Sequence, residues 1–269
     1  MIIREILIVA VFVLLTWLER RRPLRPPVEP AAIRLPRNLA VAGLGALAVQ
    51  LAENPIVRPL TRMVEGHHWG VAHALGGPPA LTLAVTLVLL DYTLYVWHVL
   101  THRVPFLWRF HLVHHVDRDL DASTALRFHF GELALSVPWR AAQVLLIGVT
   151  PQALALWQTS LLISILFHHS NVRLPRALER VLNLVLVTPR MHGIHHSAVR
   201  EHTDSNWSSG LAIWDRLHGT FRGNVPQDTI TIGVPAYPRA DDVTLTNVLA
   251  LPFARQRPSW QPPAARERR

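Results

Sequence analysis

Residues 80–100 run for 21 positions with a single Asp, Glu, Lys or Arg, Asp91, among otherwise apolar and weakly polar residues and one histidine. Crossing the hydrocarbon layer of a bilayer takes roughly 20 such residues in helical form, because only a helix satisfies every backbone group within one segment. The run predicts a membrane-spanning helix, and four shorter apolar stretches accompany it at 6–18, 39–52, 133–149 and 153–167. With half of all residues hydrophobic, the expected fold is an all-α integral membrane protein of four to five membrane helices.

The first stretch is short enough to resemble a cleaved leader, but its charges stand on the wrong side. Arg20, Arg21, Arg22 and Arg25 follow the apolar run, whereas a leader carries its positive region first. The segment is therefore expected to be retained as a first membrane helix. Residues 19–37 carry six arginines and residues 54–79 only Arg58 and Arg62, which puts the first connection in the cytoplasm. Threading the remaining stretches in order, with 133–149 and 153–167 as a hairpin about Thr150 and Pro151, returns every later histidine cluster to that same face. His67, His68 and His73 fall on the opposite face and read as interfacial or loop residues. Residues 1–257 are expected to form one domain with its core at 91–221. The apolar runs 229–234 and 245–253 should pack on the cytoplasmic face, and 258–269 should be a disordered basic tail.

Composition narrows the chemistry. The formal charge of +9 comes entirely from arginine over acid, and no nucleic-acid recognition pattern is present, so basic loops flanking membrane helices explain it. Without cysteine there are no disulfides, thiolate metal sites, iron–sulfur clusters or thiol nucleophiles. Sixteen histidines take their place. Two triplets share the form H-x-x-H-H: His111, His114, His115 and His192, His195, His196. An H-x-x-x-H pair, His98 and His102, a lone His129 and the doublet His168–His169 before Asn171 complete the set.

On a helix His98 and His102 share a face, with Tyr95 and Asp91 on it one and two turns earlier. A carboxylate inside a membrane helix is costly unless partnered, and the expected partner is the outer nitrogen of a ligating histidine, which it would orient. Within each triplet the first two histidines, three apart, are expected to share a face while the third points about 100° away, so that one segment serves two metals. Ten imidazoles supply about five ligands to each of two metals, and neutral imidazole suits iron, zinc, copper or nickel. A structural zinc needs only four ligands. No H-E-x-x-H protease motif and no E-x-x-H pair of a carboxylate di-iron bundle occurs.

Read in order, WHVLTH (97–102), RFHLVHH (109–115), ALRFHFGE (125–132), FHHSN (167–171), RMHGIHHS (190–197) and NWSSGLAIWDRLHGTF (206–221) resemble the fatty acid hydroxylase and sterol desaturase superfamily of membrane di-iron oxygenases. TIGVPAYP (231–238) and LALPF (249–253) are similar to its ending. The resemblance implies a helical membrane anchor under a cytoplasmic histidine-rich cap, two irons, O2 as co-substrate and a lipid substrate. Carried over position by position, the implied metal ligands are His98, His102, His111, His114, His115, His129, His169, His192, His195 and His196. Proline usually follows the residue matched by His129, and here Phe130 stands there. Asp91, Asn171 and Asp215 are expected around the site, with Asn206 beside them; His218 replaces a phenylalanine in a packing position.

The expected function is hydroxylation or desaturation of a lipid C–H bond. The chain carries no cysteine cluster and no stretch for a fused cytochrome, so electrons are expected from a separate ferredoxin, cytochrome or reductase docking on the arginine-rich face. A carotenoid hydroxylase or ether-lipid monooxygenase would use the same core. A metal transporter or sensor would instead need histidines lining a path through the bilayer, and these cap one face.

Overall fold

The computed structural model describes residues 2–263, and its regular structure is helical, with only isolated bridges such as Pro23 to Val172 and Leu186 to Leu211 between extended segments. Proline starts many of the helices. It stands at or next to the first position of α5 (Pro79–Arg103), α6 (Pro105–His115), α9 (Pro151–His169) and α11 (Pro189–His195), where its missing N–H costs nothing. Pro105 also forces Val104 into an extended conformation (φ −91°, ψ 113°), which ends α5 and turns the chain straight into α6.

Helices α1 (Ile2–Arg21) and α2 (Ala31–Ala48) precede a π-helical segment, Val49–Glu53, that runs on into α3 (Asn54–His67). Short α4 (Val71–Ala74) leads to α5. After α6, α7 (Phe130–Leu135) and α8 (Val137–Gln143) continue into a second π-helical segment, Val144–Gly148, and then the hairpin to α9. Thr150 caps α9, its hydroxyl accepting from Ala153 N at 3.2 Å. Short helices α10 (Arg176–Leu182), α11, α12 (Arg200–Thr203), α13 (Ile213–Leu217) and α14 (Leu245–Ala250) complete the described chain.

Among the described residues two helical stretches, 31–74 and 79–103, are long and apolar enough to cross a membrane. Helix α1 exposes Ile2, Ile3, Ile6, Val9 and Val13, an apolar surface left uncovered among the described residues. Three apolar clusters hold the bundle. Val57, Val64, Leu90, Val144 and Trp157 join α3, α5, α9 and the hairpin; Leu15, Ala122, Ala125 and Leu166 seat α1. Val41, Leu112 and Val113 receive Val234, Tyr237, Val248 and Leu251, so the expected C-terminal packing falls on α2 and α6. The expected tail begins with ordered contacts: Trp108 Nε1 donates to Ser259 Oγ at 3.1 Å, and Trp260 stacks on Trp108. Residues 264–269 lie outside the described part.

A buried ionic network anchors the start of α2 to the 117–127 loop. Arg34 and Arg37 both reach Asp117, Asn38 Nδ2 donates to Asp117 and Ser123, and Arg127 donates to Asn38 Oδ1 at 2.8 Å and Val113 O at 2.8 Å. Burial alone would raise the Asp117 carboxyl, but Arg34, Arg127 and Arg37 outweigh it and hold it well below the usual carboxylate range. This network fixes the loop immediately after the first histidine triplet.

Candidate metal centre

The structure gathers nine of the ten expected histidines into two adjoining groups. His98, His102, His111, His115 and His195 form one, and His114, His169, His192 and His196 the other, each with ligand nitrogens within 4.8 Å of one another. Each triplet serves both groups, with a different partition from the one expected. His111 and His115 share a group while His114 turns to the other; His192 and His196 share a group while His195 turns away. The reason is helical pitch: residues four apart diverge by about 40° and residues three apart by about 60°, to the opposite side.

Several of these rings are aimed by their Nδ1 atoms. Nδ1 of His98 meets Trp207 O at 2.6 Å, that of His195 meets Ser205 O at 2.8 Å, that of His169 meets Ile165 O at 2.9 Å, and that of His111 meets Glu132 Oε1 at 2.8 Å. Such bonds place the proton on Nδ1 and leave Nε2 as a lone-pair donor. In the first group Nε2 of His102, His111, His115 and His195 is buried without a hydrogen-bond partner. In the second the Nε2 atoms crowd together, His114 to His169 at 3.0 Å, and His192 to His169 and to His196 at 3.1 Å. Burial pushes His114, His115, His192 and His196 well below the ordinary histidine range, and the neighbouring imidazoles add to it. Burial takes His195 down to about 3, partly offset by its bond to Ser205. Buried neutral imidazoles with unmatched Nε2 atoms are the donor set of a transition-metal site, so the residues fit a pair of metal ions.

His129 stands apart. Its Nδ1 accepts from Gly131 N at 3.0 Å, capping α7, and its Nε2 meets Leu249 O at 3.2 Å, which occupies both nitrogens. His168, expected only as a neighbour, is fully buried against His192 and His169, with ring centroids 4.2 and 4.6 Å away and neither nitrogen in a well-formed hydrogen bond.

Asp91 does not meet a histidine. Its Oδ2 accepts from Leu211 N at 3.0 Å and Trp214 Nε1 at 2.6 Å, since the 207–214 loop, made compact by Gly210, lies against it. A Cβ on Gly210 would come within 2.1 Å of Asp91 Oδ1. Asp215 accepts from Trp207 N and Ser208 N, each at 2.9 Å, and from Thr220 Oγ1 at 2.7 Å; it thereby holds the carbonyl that aims His98. Asn171 exchanges bonds with Arg25 N and O and ties the end of α9 to the chain after α1, without a hydrogen bond to a histidine. Asn206, at φ 55°, donates to Met191 O and Arg222 O behind α11. His218 stacks on Tyr95 and Tyr92 at 5.0 and 5.8 Å, in the packing position expected for it.

Glu132 is the site residue that pattern reading passed over. It lies in the quoted ALRFHFGE segment, buried at the start of an otherwise apolar helix, and the cost of such a carboxylate was the available signal.

A cavity of about 420 Å³ opens beside the histidines, bordered by His98, His111, His114, His168 and His192 at one end and lined mainly by apolar side chains of α2, α5 and α9.

The fatty acid hydroxylase family profile matches residues 83–220, just over half of the chain, and includes both histidine groups. This chain belongs to the fatty acid hydroxylase family. It is 32% identical over 180 residues to the ornithine lipid hydroxylase of Rhizobium tropici, covering 66% of this chain and 50% of that protein. Human alkylglycerol monooxygenase is 33% identical over 132 residues, 49% of this chain and 28% of that protein. Human cholesterol 25-hydroxylase is 27% identical over 223 residues, 78% of this chain and 76% of that protein. The chain thus spans half or less of the first two relatives. No solved structure matches it.

Proposed function

We propose that this family member is a membrane-bound di-iron oxygenase that hydroxylates or desaturates a lipid at an unactivated C–H bond, using O2 and electrons from a separate donor. The observation that carries the reading is the pair of buried, lone-pair-bearing histidine groups at one end of a largely apolar cavity. The named activities of the relatives, on ornithine lipid, alkylglycerol and cholesterol, support a lipid substrate and an oxidative reaction. Two irons, bound by the nine grouped histidines, would supply oxygen activation. The chain's own residues do the rest. Nδ1 bonds to Glu132, Trp207, Ser205 and Ile165 fix the rings, and the walls from α2, α5 and α9 hold an alkyl segment and exclude water.

An ether-lipid monooxygenase remains the second reading, on the strength of the alkylglycerol monooxygenase match. Transport or metal sensing is disfavoured because the histidines close on two compact groups rather than lining a path. Four to five membrane helices, with the histidines on the cytoplasmic face, remain our proposal; the arginine-rich 19–37 segment and the apolar exposed surface of α1 support it. An acidic ferredoxin, cytochrome or reductase would dock on the exposed arginines of that segment, Arg20, Arg21 and Arg22, in which case high salt would slow electron delivery.

Elemental analysis of detergent-purified protein from iron-replete cells tests the reading, beside a His195→Ala, His196→Ala double variant. Two irons per chain, depleted in the variant, together with an oxidised lipid found only in cells carrying the active gene, is the expected result. A single zinc, or metal unaffected by the variant, would overturn it.

A further inference from the structure

Helix α9 runs the length of the cavity. Gln158, Leu161, Leu162, Ile165 and His169 line it from one end to the other, and the 11 positions from Gln158 to His169 span about 16 Å at about 1.5 Å per residue. The histidines occupy one end. The other is also polar, which an apolar chain lying in the cavity would not call for.

At that remote end stand Glu53, Arg140, Gln143 and Gln158. Glu53 closes the first π-helical segment and is buried, and Gln158 Nε2 reaches its carboxylate at 3.4 Å. Arg140 donates to Gln143 Oε1 at 2.6 Å and lies over the ring of Trp157 at 4.5 Å. Arg140 Nε, Trp157 Nε1 and Trp139 Nε1 are left without partners, but they are closed off from the cavity space as well as from solvent and so are not donors to a ligand there. Buried donors are normally satisfied, and an arginine within an apolar helical hairpin is expensive to keep. Arg140 and Glu53 offset each other's charge, so a carboxylate or phosphate would be set against Glu53 and an amine against Arg140. A hydroxyl suits both charged groups that line this end, accepting from the Arg140 guanidinium and donating to the Glu53 carboxylate.

We propose that the remote end of the cavity is a recognition site for an uncharged hydroxyl carried by an elongated apolar substrate. The site acts as a ruler: the carbon presented to the histidines is set by its distance from the hydroxyl. This rests on the oxygenase reading, and its test is a binding measurement that needs neither metal nor turnover.

The metal-free protein in nanodiscs is equilibrated with tritiated 1-tetradecanol, and Ala46→Leu, which fills the cavity wall, reports the background. Unlabelled 1-tetradecanol, tetradecane, tetradecanoate and tetradecylamine compete. The alcohol is expected to compete at least about tenfold better than the alkane, and Arg140→Gln and Glu53→Gln each to weaken alcohol binding about tenfold. An alkane that competes equally, or an acid or amine that competes better, overturns the assignment on the wild-type protein alone, whether or not the variants fold. Unchanged binding in a variant with native melting overturns it as well. Hydroxyl preference without any oxidised product would leave this site standing and remove the oxygenase reading. Where products form from alkanols of increasing length, the oxidised carbon should keep its distance from the hydroxyl; a position fixed from the methyl end overturns the ruler.

Discussion

His111 Nδ1 lies 2.8 Å from Glu132 Oε1, a buried imidazole–carboxylate pair that joins α6 to α7 and points the His111 Nε2 atom into the first histidine group. A carboxylate in this position fixes the tautomer and raises the basicity of the ring it touches. Glu132→Gln keeps the volume and removes the charge, and metal affinity should fall about 10–100-fold. Competition with a chelator of known affinity measures it. Unchanged affinity would mean that the pair only packs the two helices.

Asp215 controls His98 at one remove, through the Trp207 and Ser208 backbone N–H groups. In Asp215→Asn one of those buried donors faces an amide N–H2 instead of an oxygen, which costs about 1–3 kcal/mol. The first histidine group should lose metal before the second. The expected product is a folded protein with close to one ion per chain, read by elemental analysis alongside circular dichroism. Equal loss from both groups would argue for global unfolding instead.

His129 already departed from the family pattern at Phe130 while His169 did not, and the two separate further in the fold. Both ring nitrogens of His129 are used by Gly131 and Leu249, whereas Nε2 of His169 sits among His114 and His192. His169→Ala should therefore empty the second group. His129→Asn, which can still cap α7, should keep the full metal content while lowering the melting temperature slightly. Metal loss in His129→Asn at unchanged helicity would return His129 to the ligand set.

The two helical stretches long and apolar enough to cross a membrane, the helical architecture and the nine grouped histidines were legible in the sequence because they rest on local signals: apolar run length, and helical spacing within WHVLTH, RFHLVHH and RMHGIHHS. The partition of each triplet was not, because 40° and 60° offsets differ too little to rank until the second helix is in place. Asp91 shows the same limit. Its cost inside α5 was readable, but its partners, Leu211 and Trp214, come from 120 residues downstream and depend on how closely Gly210 lets the loop approach. Arg140 and Glu53 likewise gain meaning only from sharing a cavity.

Gly70 and Gly148 meet backbone to backbone, at φ 98° and 93°, where the α3–α4 turn crosses the end of the second π-helical segment. A Cβ on Gly148 would fall 2.5 Å from Trp69 O and 2.8 Å from His73 Cδ2. Backbone strain of about 1–2 kcal/mol and overpacking of about 1–3 kcal/mol should both penalise Gly148→Ala. A clearly lower melting temperature is expected, with metal per folded chain unchanged because the histidines lie at the other end of α9. Native melting would mean that the turn can move aside.

Acid should act through Asp117. Its folded carboxyl lies below the unfolded value of about 3.9, so the unfolded chain binds more protons once pH drops toward that value. The stabilisation is complete above about pH 5 and is lost as pH falls through about 4 and below. Removing the charge leaves Arg34 and Arg37 facing a neutral group in a buried site, so Asp117→Asn should cost about 3–5 kcal/mol at neutral pH. Thermal melting of the metal-free protein in detergent between pH 7 and 3 separates the two effects. The wild type should begin to decline below about pH 6.5, where the buried imidazoles take up protons only on unfolding, and the variant should start lower and lack the additional loss below about pH 5 that belongs to Asp117. Parallel curves below about pH 5 for both proteins would show that the acid sensitivity there comes from other groups and that Asp117 keeps its proton equilibrium unchanged on folding.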